Sequence, residues 1–228
     1  MTENYVVCGS KSWNRRVFDE KISQFPGEWQ YISTKEELTS STLKKISPRF
    51  VFFLHWSWIV PQEILNACEC VNFHMTDLPF GRGGSPLQNL ILLGKKETVL
   101  TAHRMTEEVD AGPVYLKKPL SLEGTAQEIL ERSSELAAEM IGQIIREHPE
   151  PKPQTGKVVI FRRRTPAESE IPDGLSPEKL YDFIRMLDGE GYPAAFRRQK
   201  GFRYEQRNAR ITDGTVQTDV TTIPDSSL

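Results

Sequence analysis

Five large apolar residues in an unbroken run, Phe50-Val51-Phe52-Phe53-Leu54, set the tightest constraint on what this chain can fold into. A strand with one solvated face alternates apolar and polar residues, because its side chains point to opposite faces in turn. A short run without that alternation needs cover on both faces. The centre of a parallel sheet packed between helices provides it. The neighbouring sequence supplies the rest of such a sheet. Stretches at residues 4–8, 29–33, 69–74, 97–105 and 114–119 read as further strands. Residues 13–25, 35–46, 61–68, 85–93 and 124–147 read as helices between or after them. Thr34, with Glu37 three residues on, signals the start of the second helix, and Ser85-Pro86 that of the fourth. This alternation predicts a parallel α/β sheet.

The Pro-rich segment Pro149-Glu150-Pro151-Lys152-Pro153 interrupts the pattern and reads as a linker. Beyond it come a strand at 157–162, a helix at 176–187, a hairpin at 194–211 and a loose polar tail at 217–228. The expectation is a catalytic domain over residues 1–150 and a small C-terminal α+β module over residues 151–228.

Composition narrows the class of partner. The net charge is −2, without the basic excess that phosphate neutralisation demands, so a nucleic-acid partner is not expected. Three cysteines, Cys8, Cys68 and Cys70, fit a reducing compartment and complete no zinc site, so no metal is expected. The chain opens without a basic start and apolar run, and no stretch matches a bilayer span, so a cytoplasmic location without a membrane partner is expected.

The chemistry concentrates in residues 71–86, which run Val71-Asn72-Phe73-His74-Met75-Thr76-Asp77-Leu78-Pro79-Phe80-Gly81-Arg82-Gly83-Gly84-Ser85-Pro86. On a strand, Asn72 and His74 share a face, and the strand ends there, where open α/β sheets bind ligands. Gly81, Gly83 and Gly84 then permit close backbone approach, and the following helix N-terminus favours an anion. Downstream, Glu108-Val109-Asp110-Ala111-Gly112-Pro113 places one acid in a tight turn between two strands. Asn can donate to a developing oxyanion, His is the acid–base group nearest neutral pH, and Asp can orient it. Together they suit acyl transfer to an amine.

Asn72-Phe73-His74, Leu78-Pro79, Arg82-Gly83 and Asp110-Ala111-Gly112, in that order, resemble the folate-dependent formyltransferase family. The resemblance implies a Rossmann-like, mostly parallel sheet with flanking helices, and Asn72, His74 and Asp110 as catalytic residues. It also implies 10-formyltetrahydrofolate as donor, its pterin lying against the loop of Trp56, Trp58, Ile59 and Val60 and the turn containing Met105, Val109 and Gly112. A flat ring needs apolar walls and backbone hydrogen bonds, although core packing is an equally open role for the two tryptophans.

For the acceptor, the short C-terminal module is similar to that of sugar N-formyltransferases. The expectation is therefore a nucleotide-linked amino sugar, met by Ser10, Lys11, Trp13, Thr76, Asp77, Arg82 and Gly83, with Lys11 or Arg82 on its anion. Alternatives are methionyl-tRNA, glycinamide ribonucleotide, or water as in a formyltetrahydrofolate hydrolase. A homodimer is compatible with the sequence, which leaves the oligomeric state open.

Overall fold

The structure is a computed structural model that describes residues 2–225. In chain order the strands are β1 (Asn4–Gly9), β2 (Glu28–Ile32), β3 (Phe50–Leu54), β4 (Cys70–His74), β5 (Phe80–Gly83), β6 (Glu97–Arg104), β7 (Val114–Ser121), β8 (Val159–Phe161), β9 (Ala195–Gln199), β10 (Phe202–Thr212) and β11 (Thr215–Pro224). The helices are α1 (Ser12–Glu20), α2 (Ser40–Ile46), α3 (Gln62–Ala67), α4 (Pro86–Leu92), α5 (Ala126–Glu147) and α6 (Pro177–Arg185).

The chain divides into two compact units. The first comprises Met1–Gly83, Val99–Leu120 and Glu131–Ile160; the second comprises Gly84–Thr98, Ser121–Leu130 and Phe161–Leu228. In the first, six strands form one sheet in the order β2-β1-β3-β4-β6-β7. β1 runs parallel to β2 and β3, and β3 to β4, while β6 is antiparallel to β4. The apolar run is β3 itself, buried along its whole length between β1 and β4. The chain leaves β1 towards β2 on one side and β3 on the other, so β1/β3 is the topological switch point of the sheet.

The second unit carries an antiparallel sheet, β11-β10-β9. Ser176 caps α6 by accepting from the Lys179 N–H, as its Ser-Pro-Glu start predicts. No helix among the described residues is long and apolar enough to cross a membrane.

Four local expectations are corrected. Thr34 and Glu37 do exchange their capping hydrogen bonds, but these close a single turn. The helix begins later, with Thr39 as its cap: the Thr39 backbone is extended and its hydroxyl accepts from the Thr42 N–H at 3.1 Å. Residues 39–42 all carry hydroxyls, and so offer the backbone a second cap that competes with the first. Ser85 and Pro86 do start α4, but Ser85 sits left-handed at φ 51° and its side chain makes no cap bond; its Oγ accepts from the Arg164 N–H instead. The loop after β4 contains strand β5, paired with β8. Finally, the tail expected to be loose pairs with β10 through Pro224, in a run of Thr, Val and Ile, residue types that favour strands. Residues 226–228 of that expected tail lie outside the described residues.

Candidate active site

β4 ends at His74, and its alternation puts Asn72 and His74 on one face. Antiparallel pairing with β6 sets His103 opposite Asn72 and Thr101 opposite His74. The turn between β6 and β7 then carries Asp110 into the same cluster. Asp110 Oδ2 lies 3.5 Å from His74 Nδ1, and Asp110 Oδ1 lies 3.5 Å from His103 Nε2. Asn72 Nδ2 lies 3.3 Å from His103 Nε2. The Gly83 N–H, from β5, donates to Asp110 Oδ2 at 2.9 Å. The three residues singled out in sequence therefore meet, with a second histidine among them.

Hydrogen-bond partners fix the state of His74. Its Nε2 is 2.8 Å from the Gly81 carbonyl oxygen, which only accepts, so Nε2 carries the proton of the neutral ring. A further proton would enter at Nδ1, against Asp110. Burial is the largest influence and disfavours the imidazolium; Asp110 and the Gly81 carbonyl oppose it, and His103 adds to it. The net pull is below the ordinary histidine value of 6.5, so His74 is a neutral base at neutral pH. Burial pushes Asp110 the other way, up, yet His103, His74 and the Gly83 N–H outweigh it and hold the carboxyl at about 2. A permanent carboxylate thus faces a neutral imidazole.

The turn is built for this placement. Asp110 adopts φ 53°, a left-handed conformation. Gly112 has no room for a side chain, since a Cβ would stand 1.8 Å from the Arg104 carbonyl oxygen. The Gln154 amide donates to the Asp110 and Gly112 carbonyls at 2.8 Å each and accepts from Arg82 at 3.1 and 2.9 Å. Arg82 also meets Glu108 at 2.9 Å. His103 and Gln154 escaped the sequence reading. Sequence offered no signal for either: the β6 register alone sets His103 opposite Asn72, and Gln154 follows a segment read as linker.

Of the residues expected at the acceptor, Thr76 is buried, its hydroxyl donating to the Gly81 carbonyl at 3.4 Å, while Asp77 pairs with Lys117 at 2.5 Å. Ser10, Lys11 and Trp13 gather elsewhere, after β1. Trp13 is buried there, and its indole donates to His55 Nδ1 at 3.1 Å. Asn14 Nδ2, Ser133 and Ser134 complete the ring of partners around His55. Lys11 lies 5.8 Å from the Trp13 ring.

Of the residues expected around the pterin, Val60 is buried in a cluster against which Trp56 and Met105 pack. Trp56 meets Trp58 edge to face at 4.8 Å, and its buried Nε1 has no hydrogen-bond partner among the described residues. Trp58, Ile59 (92% exposed) and Val109 (65% exposed) leave apolar surface open. An orphaned donor beside exposed apolar side chains fits a flat, heteroatom-bearing ring.

Residues 8–145 match the formyl transferase family, and residues 166–223 match the C-terminal domain of methionyl-tRNA formyltransferase. The methionyl-tRNA formyltransferase of Clostridium thermocellum is 43% identical, with a TM-score of 0.93 over 97% of this chain and 99% of that one. The enzyme of that name from Thermodesulfovibrio yellowstonii is 30% identical over 80% of this chain. This chain spans 61% of that curated relative's length. A 4-N formyltransferase from Francisella tularensis aligns over 96% of this chain and 97% of that one with a TM-score of 0.68, but at 14% identity it shares the fold alone. These likenesses overturn the expected amino-sugar acceptor and, with it, the exclusion of a nucleic-acid partner. Length of the C-terminal module and net charge, on which both rested, are whole-chain properties and do not resolve which acceptor a site takes. The chain belongs to the formyl transferase family.

Proposed function

We propose that the protein transfers a formyl group from 10-formyltetrahydrofolate to the amino group of methionyl-tRNA. One observation carries this reading: the 43% identity to a methionyl-tRNA formyltransferase extends over nearly the whole of both chains. The catalytic residues are Asn72, His74 and Asp110. The acceptor nitrogen attacks the formyl carbon, a C–N bond forms, and the carbonyl electron pair moves to oxygen. Asn72 Nδ2–H donates to that oxyanion. His74 takes the amine proton at Nδ1, directly or through water, and Asp110 stabilises the imidazolium so formed. Collapse breaks the bond to N10 of the folate, which leaves with a proton. Trp56, Trp58, Ile59, Val60, Met105, Val109 and Gly112 border the folate ring. Residues 1–150 carry the three catalytic residues, residues 151–228 form the C-terminal module, and the protein works in the cytoplasm.

The test supplies purified protein with 10-formyltetrahydrofolate, with or without charged initiator methionyl-tRNA, and follows formyl-methionine and folate release. Formylation that depends on the tRNA is expected. Folate release at the same rate without any acceptor would make water the acceptor and overturn the reading.

A further inference from the structure

We propose that Gln154 is a positioning residue for this centre: its amide locks the turn that carries Asp110, and so sets where the carboxylate stands relative to His74. The residue lies between the two stretches matched to known families, residues 8–145 and 166–223. The proposal rests on the roles given above to Asp110 and His74.

A primary amide has two N–H donors and an oxygen with two lone pairs. Gln154 uses all four. Nε2 donates to the carbonyls of Asp110 and Gly112, and Oε1 accepts from Arg82 Nε and Nη2. Reversing the amide would set oxygen against two carbonyls and NH2 against a guanidinium, so these partners fix its orientation. The segment that presents it is anchored too: Lys152, two residues earlier, exchanges backbone hydrogen bonds of 2.7 and 2.8 Å with Val114 at the start of β7.

The turn needs such a lock. A left-handed aspartate is a sparsely populated conformation that persists only when its surroundings over-determine it. Among the described residues, only the Gly83 N–H and the two histidines hold the Asp110 side chain from within. Gln154 holds the backbone on both sides of Ala111, the geometry that keeps the carboxylate aimed inward. Without it, the turn can relax by a fraction of an ångström to about one, a displacement that costs catalysis heavily.

The test compares wild type with Gln154→Leu, which keeps the volume and removes all four bonds, and Gln154→Asn, which stays polar but is too short to span both arms. His74 is titrated by nitrogen-resolved NMR in the ligand-free protein, and turnover is measured separately. Asp110 is the group that raises His74, the Gly81 carbonyl does so more weakly, and His103 lowers it. A displaced Asp110 therefore lets the His74 midpoint fall. Both variants should lower that midpoint and reduce turnover about tenfold. A fall in thermal stability with His74 titrating as in wild type would reduce Gln154 to scaffolding and overturn the proposal. So would wild-type turnover and titration in both variants. Because the titration needs no substrate, it reads the proposal even if the protein turns out not to formylate tRNA.

Discussion

His74 shows how burial and a neighbouring charge compete at one residue. Asp110 alone would raise the histidine, but burial is the larger influence, so the midpoint lies below the ordinary value of 6.5. The rate should rise with pH as His74 loses its proton, and this acidic limb should fall below the usual histidine range. Asp110→Asn removes the one charge that favours the imidazolium, so its limb should move further down in pH. Its maximal rate should also drop, by about tenfold or more, because a weaker and less well oriented base remains. A pH–rate profile at saturating folate checks both effects. A limb that moves up, or does not move, in Asp110→Asn would assign it to another group, such as the acceptor amine. At this scale the sequence was most informative where residue types are chemically unusual together. Asn72, His74 and Asp110 could be singled out together from an Asn-x-His strand end and an Asp-x-Gly turn, and the structure brings them into one cluster. His103 could not: it is an unremarkable histidine until the antiparallel register of β6 sets it opposite Asn72.

Elements were legible to the extent that their signals were not contested. The run at β3 admitted only a doubly covered strand, and Ser176-Pro177 only a helix start, and both hold. Thr34 and Thr39 offered two caps for one helix, and local spacing could not decide between them. Gly112 is the element-scale feature that sequence shows only as a turn residue. Its Cα faces the Arg104 carbonyl so closely that a methyl group would need backbone movement, not side-chain rearrangement. Gly112→Ala should therefore cost about 2–4 kcal/mol of stability, at the upper end for overpacking. It should also displace Asp110, two residues away, and depress turnover beyond what the lost stability explains. Urea denaturation beside kinetics at a temperature where the variant stays folded separates the two effects. A variant with wild-type stability would mean that the turn yields freely, and would remove the argument that its backbone aims the carboxylate.

At the scale of the whole molecule, net charge misled. A value of −2 averages over arginine clusters that sit beside acids. Arg162 pairs with Glu168 at 2.6 Å, Arg197 with Asp173 at 3.0 Å, and Arg198 with Glu170 at 2.5 Å and Asp225 at 2.8 Å. Of these, the Arg162–Glu168 and Arg197–Asp173 pairs hold their arginines at the surface and contribute little, so such an arginine can leave its carboxylate for a phosphate at small cost. If methionyl-tRNA is the acceptor, its binding should carry the mark of counterion release, with affinity falling as a power of salt concentration set by the number of phosphates met. Balanced charge limits that number. For about two phosphates, KM for the tRNA should rise roughly tenfold between about 50 and 200 mM salt, while KM for the folate changes by less than about twofold. Steady-state kinetics across that range, with each substrate varied in turn, measures the difference. A tRNA KM as flat as that of the folate would show that no phosphate is held, and recognition would then have to rest on the aminoacyl end alone.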